Sequence, residues 1–163
     1  MLASQSHPSS VLLISRPSIE IVSRPSIGRL VMTSIPLSRA KIIVDAAIAK
    51  ADEIGQPMNV AVVDGGGHLV AFVRMDGAIK ASIDISIRKA RTSILMNAPT
   101  SALMPLVQPG AELYGLEQTA GGMVTFGGGL LLTDGDTVIG AIGVSAGTVE
   151  EDITVATAGA DAC

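Results

Sequence analysis

Two stretches of this chain alternate short apolar runs with glycine clusters: NVAVVD, GGG and HLVAFVRM over residues 59–75, and MVTF, GGG, LLLT, DGD and TVIGAIGVS over residues 123–145. Runs of this length, rich in Val, Ile and Phe, suit strands, and glycine supplies the positive φ of a tight turn. Strands joined by such short turns run antiparallel, because a parallel pair needs a crossover of about a dozen residues or more. The first stretch predicts a β-hairpin and the second predicts two or three strands.

Helical spacing frames these strands. Apolar residues at Leu37, Ala40, Ile43, Val44, Ala47, Ala51 and Ile54 lie on one stripe, with Pro36 at the first turn and Gly55 as a C-terminal stop, so a helix is expected over Leu37–Ile54. Ser82–Met96 repeats the pattern through Ile83, Ile87, Ala90 and Ile94, with Asp84 four residues before Arg88. Residues 97–122 carry three prolines and a Gly pair; they read as short helical turns and loop, with Thr100 as a cap. A third helix opens at TVEE, where Thr148 and Glu151 have capping-box spacing and Val149, Ile153, Ala156 and Ala160 share a face. The fold class is therefore α+β, an antiparallel sheet covered by helices.

Residues 1–31 differ in kind. They hold eight Ser, three Arg, one acid and the near-tandem SRPSIEIV and SRPSIGRLV. The two prolines of that repeat and the lack of periodicity oppose a packed helix there, so this segment is expected to be a disordered or processed extension, with residues 32–163 forming a single domain and Met32 a second start. A Ser- and Arg-rich, acid-poor leader is also compatible with an organelle transit peptide; otherwise the protein is expected in the cytoplasm.

Composition removes several functions. Net charge is −4, and outside residues 1–31 eight cations face fourteen acids, a balance that disfavours nucleic acid. With one Tyr, two Phe and no Trp, stacking platforms are scarce as well. No apolar run approaches the roughly 18–20 residues of a spanning helix, so no membrane partner is expected. The single cysteine, Cys163, can form no disulfide within the chain and no zinc cluster. An aliphatic, glycine-rich composition favours self-association.

Chemistry-bearing residues are few. Arg74, Lys80, Arg88, Lys89 and Arg91 place five of those eight cations within eighteen residues, the natural docking point for a carboxylate or phosphate. Asp64 and Asp76 are the acid–base candidates, although nothing pairs them at diagnostic spacing. Glu151 and Asp152 suit a helix N-terminus. His68 opens a strand, and no nucleophile elbow or metal-ligand cluster accompanies it.

Together the motifs V-V-D-x-G-G at 62–67, R-M-D-G-A at 74–78, K-A-x-T at 89–92, F-G-G-G at 126–129 and I-G-V-S-x-G-T at 142–148 resemble the haem-binding GlcG/HbpS family, which includes the C-terminal domain of PduO-type corrinoid adenosyltransferases. The likeness spans about residues 34–162. It implies a profilin-like, three-layer α/β/α fold with a five-stranded antiparallel sheet, homodimers to homo-octamers, and binding of haem or a related tetrapyrrole; the adenosyltransferase activity is assigned to another domain of those enzymes. Leu131 stands where relatives carry proline, and Ala146 where they carry glycine. Haem iron usually takes His, Met, Cys or Tyr. The helix over Leu37–Ile54 has none, leaving His68, with Tyr114, Met75 and Met123, as the candidates.

These features support two readings. One is an oligomeric binding protein for haem, a corrinoid-related tetrapyrrole or another carboxylate-bearing molecule, with Arg74, Asp76, Lys89, Thr92, Phe126, Gly127, Gly128 and Gly129 forming the ligand site. In the other, the chain is a lyase or isomerase of a small organic acid in which Asp64 or Asp76 moves a proton and glycine amides hold developing negative charge.

Overall fold

The computed structural model describes residues 34–163; the expectations for residues 1–31 lie outside the described residues. In chain order the elements are α1 (Leu37–Glu53), β1 (Asn59–Asp64), β2 (Leu69–Arg74), α2 (Ser82–Met96), three short 3₁₀ turns between Thr100 and Gln118, β3 (Gly129–Asp134), β4 (Thr137–Ser145) and α3 (Val149–Asp161). The strands form one antiparallel sheet in the order β2-β1-β4-β3. Helices α1 and α3 pack together on one face of it, and α2 lies on the other.

The sheet's period of two sorts its residues between these layers. Val60 and Val62 of β1 join Ile142 and Val144 of β4 in a core with Ile43, Val44, Ala47 and Val155. Val63 and Ala141 face the other way, onto Ala90 of α2. Each fully buried Val or Ile contributes about 1.5–3 kcal/mol of transfer free energy, so the α1/α3 side carries most of the hydrophobic stabilisation.

Four strands are present among the described residues, not five. Residues 123–126 stay irregular because their backbone is engaged elsewhere: the Val124 N–H donates to the Thr92 hydroxyl at 3.0 Å and the Met123 N–H to the Glu117 carbonyl at 2.9 Å. Thr100 also departs from expectation. It caps no helix; its hydroxyl accepts the Gly129 N–H at 2.9 Å and so pins the start of β3.

Helix α2 has the expected span but a different buried face. Ser82, Ser86, Lys89, Ala90, Thr92 and Ser93 are buried, whereas Ile83, Ile87 and Ile94 are only partly so. Gly143 of β4 explains this rotation: a Cβ there would stand 2.6 Å from the Ala90 nitrogen, so the helix backbone lies almost on the strand. At that distance only small side chains fit between the layers.

Candidate functional site

The end of the sheet where β4 stops and β3 starts holds the buried charges of the described residues. Lys89 is wholly buried, and its Nζ donates to Asp152 Oδ2 at 2.6 Å and to the Val144 carbonyl at 2.9 Å, with the Phe126 ring centroid 4.6 Å away. Asp152 Oδ1 accepts the N–H groups of Ala146 (3.2 Å) and Gly147 (3.1 Å). Burial pushes Lys89 down and Asp152 up from their ordinary values, and their mutual attraction opposes both shifts. A cation expected to meet a ligand's acid thus meets the chain's own.

Asp152 was legible only as a helix-end acid, a role that Glu150 and Glu151 also serve, Glu151 through the capping box with Thr148. Yet Asp152 falls on the same face as Val155, Ala156 and Gly159, all buried. An acid in register with an apolar face was the available signal for a buried partner.

Gly127, Gly128 and Gly129 are close by, but the chain itself occupies the space beside them. Added Cβ atoms would meet Ile153 at Gly127, the Val144 carbonyl and Lys89 Nζ at Gly128, and the Lys89 carbonyl and Ser93 at Gly129. Close approach by another part of the chain accounts for all three. Thr92 is buried and holds Val124, while Phe126 is partly exposed above Lys89.

Arg74 lies elsewhere. It pairs in register with Asn59, which pairs in turn with Ser145, so its strand is two strands from β4, about 10 Å. Arg74 and Asp76 are exposed, and neither forms an ion pair among the described residues.

Asp64 serves the hairpin turn. Its Oδ1 accepts the N–H groups of Gly66 at 2.8 Å and His68 at 2.9 Å, while Gly67 takes the left-handed φ of +78°. Burial alone would raise its pKa; these amides and the adjacent His68 imidazole outweigh it and hold the carboxyl below its ordinary value. Such a carboxylate is a poor proton acceptor near neutral pH. His68 is exposed, with Nδ1 3.3 Å from Asp64. Among the described residues no group of three or more His, Cys, Asp or Glu could hold a metal ion.

A cleft of about 400 Å³ opens instead between α1 and the edge strand β2. Leu37, Val44, Ala71 and Val73 make it apolar, Phe72 contributes to the β2 side, and Lys41 and Asp45 stand one helical turn apart on α1. Its volume lies within the range of small-molecule sites, about 300–1,000 Å³. Its lining contains no His, Met, Cys or Tyr.

Fold and cleft together define a three-layer α/β/α protein with an apolar, ligand-sized recess at its sheet edge. The chain belongs to the HbpS-like family: the family model described as haem degrading protein HbpS-like matches residues 35–161. An uncharacterized 15.0 kDa protein of the Citrobacter freundii dhaT-dhaS intergenic region is 46% identical over 122 residues, covering 74% of this chain and 86% of that protein. The corrinoid adenosyltransferase PduO of the same organism is 39% identical over 112 residues; the match covers 68% of this chain but only 33% of that enzyme. Among solved structures, a PduOC:heme complex superposes with a TM-score of 0.76 at 35% identity, covering 80% of this chain and 95% of the other. Among the described residues no helix is long and apolar enough to cross a membrane.

Proposed function

We propose that this chain is a small-ligand-binding protein whose ligand is haem, a corrinoid-related tetrapyrrole or another carboxylate-bearing molecule, and that it works as a homo-oligomer of two to eight copies. The cleft between α1 and β2 carries this reading. Its apolar walls suit one edge of a flat macrocycle, and Lys41 offers a cation to an acid arm. The heme complex of a neighbour 35% identical over most of the chain supports the ligand class. Arg74 ends the strand that walls the cleft but alternates with Val73 and so starts from the opposite face of the sheet; it is a second cation for an acid group that reaches round the strand end. Lys89, Thr92, Phe126 and Gly127–Gly129 have a supporting part, fixing the sheet end where β4 stops and β3 starts, while Asp76, exposed two residues beyond Arg74, is the polar rim of that end.

The test is titration with haemin. A shifted Soret band is expected for the wild type, with binding weakened about threefold to tenfold in Lys41→Ala, the loss of one partly solvated charge-assisted contact. Absence of any spectral or melting-temperature change on adding haemin would overturn the proposal. The reading as a lyase or isomerase draws no support from the geometry, since Asp64 is tied to its turn and Asp76 has no partner among the described residues.

A further inference from the structure

The donor set of the cleft points beyond a general capacity for tetrapyrroles. Iron in haem is normally held by His, Met, Cys or Tyr, and the residues around this cleft are Leu, Lys, Val, Asp, Ala and Phe. The ligand candidates named from the sequence, and Cys163, are occupied or lie on other elements. His68 sits at the hairpin turn beside Asp64, three residues before Ala71 and so about 10 Å along the strand. Met75 directs its sulfur to the Met58 N–H at 3.3 Å. Cys163 bonds to the Thr133 carbonyl on β3, at the opposite edge of the sheet. Tyr114 and Met123 belong to the irregular segment that follows α2, whereas the cleft is walled by α1.

What the cleft offers is surface and charge. Leu37, Val44, Ala71 and Val73 present aliphatic contact to a ring face. Lys41 and Asp45, although one turn apart, form no ion pair with each other or with any other described residue, so the Lys41 ammonium is free to meet a carboxylate. We infer that the cleft recognises the organic macrocycle and its acid arms rather than the metal, and that it takes a metal-free porphyrin as readily as haem. This rests on the functional reading above and adds a specificity to it. A ring held through its faces and its carboxylates loses nothing when the iron is removed.

Parallel titrations of the full chain with haemin and with protoporphyrin IX, followed by absorbance and porphyrin fluorescence, test the inference. Dissociation constants within about threefold of each other are expected, with Lys41→Ala weakening both by the same factor and His68→Ala changing neither. Haemin binding tenfold or more tightly than the metal-free ring would overturn it, as would a loss confined to haemin in either variant. If neither porphyrin binds, the functional reading itself falls, and this inference with it.

Discussion

On the α1/α3 side of the sheet, Val60, Val62, Ile142 and Val144 meet Ile43, Val44 and Val155. On the α2 side, Val63, Ala141 and two strand glycines, Gly143 and Gly129, meet Ser86, Lys89, Ala90 and Ser93. The first face is stabilised by apolar volume, whereas the second brings backbone against backbone and leaves room for a buried charge pair. One sheet thus serves two kinds of packing, and they should fail in opposite ways.

Adding atoms to the α2 side is expected to have the largest effect. Gly143→Val would drive its Cβ into the Ser86 carbonyl and the Ala90 nitrogen, both backbone groups that no rotamer change can move aside. Overpacking commonly costs about 1–3 kcal/mol, and more where backbone must shift, so a loss of at least about 4 kcal/mol is expected by urea unfolding. On the opposite face the sensitivity is to removal: Ile142→Ala should cost about 2–5 kcal/mol through its cavity. A Gly143→Val variant as stable as the wild type would break the comparison.

The charge pair comes next. Lys89→Ala leaves the Asp152 carboxylate buried without its cation, and truncating one partner of such a pair costs about 3–5 kcal/mol. Lys89→Met combined with Asp152→Asn removes both charges while keeping an oxygen for the Ala146 and Gly147 amides. The double variant should recover more than half of that loss. If it stays as unstable as Lys89→Ala, the pair is irreplaceable for a reason other than charge balance.

These two faces also explain what could be read in the sequence. The α1/α3 side was legible, since its helix faces and strand alternation follow the apolar pattern, and Thr148 with Glu151 announced the start of α3. The α2 side was not. Hydrophobic periodicity turned Ile83 and Ile87 inward, but glycines in β3 and β4 made closeness, not bulk, the packing rule, and that depends on strand partners far along the chain. The candidate site suffered similarly. Lys89, Phe126 and Gly127–Gly129 do come together, yet the acid that meets them is Asp152. The α1/β2 cleft arises only when an edge strand and a helix are set side by side, so no motif announced Lys41.

The smallest expected effect falls on the hairpin between β1 and β2, whose turn depends on hydrogen bonds more than on either kind of packing. Asp64→Ala removes an acceptor from the Gly66 and His68 amides and should lower stability by about 1 kcal/mol at pH 7, a shift of about 3 °C in melting temperature. Folding holds the Asp64 pKa below its unfolded value near 3.8, so its ionised form stabilises the fold above that pH. That contribution is lost as pH falls through the folded-state value. The gap between wild type and Asp64→Ala should therefore be full at pH 7 and narrow below pH 3.8. A gap that stayed constant down to pH 3 would mean that the protonated carboxyl serves the turn equally well, and that charge adds nothing to the hairpin.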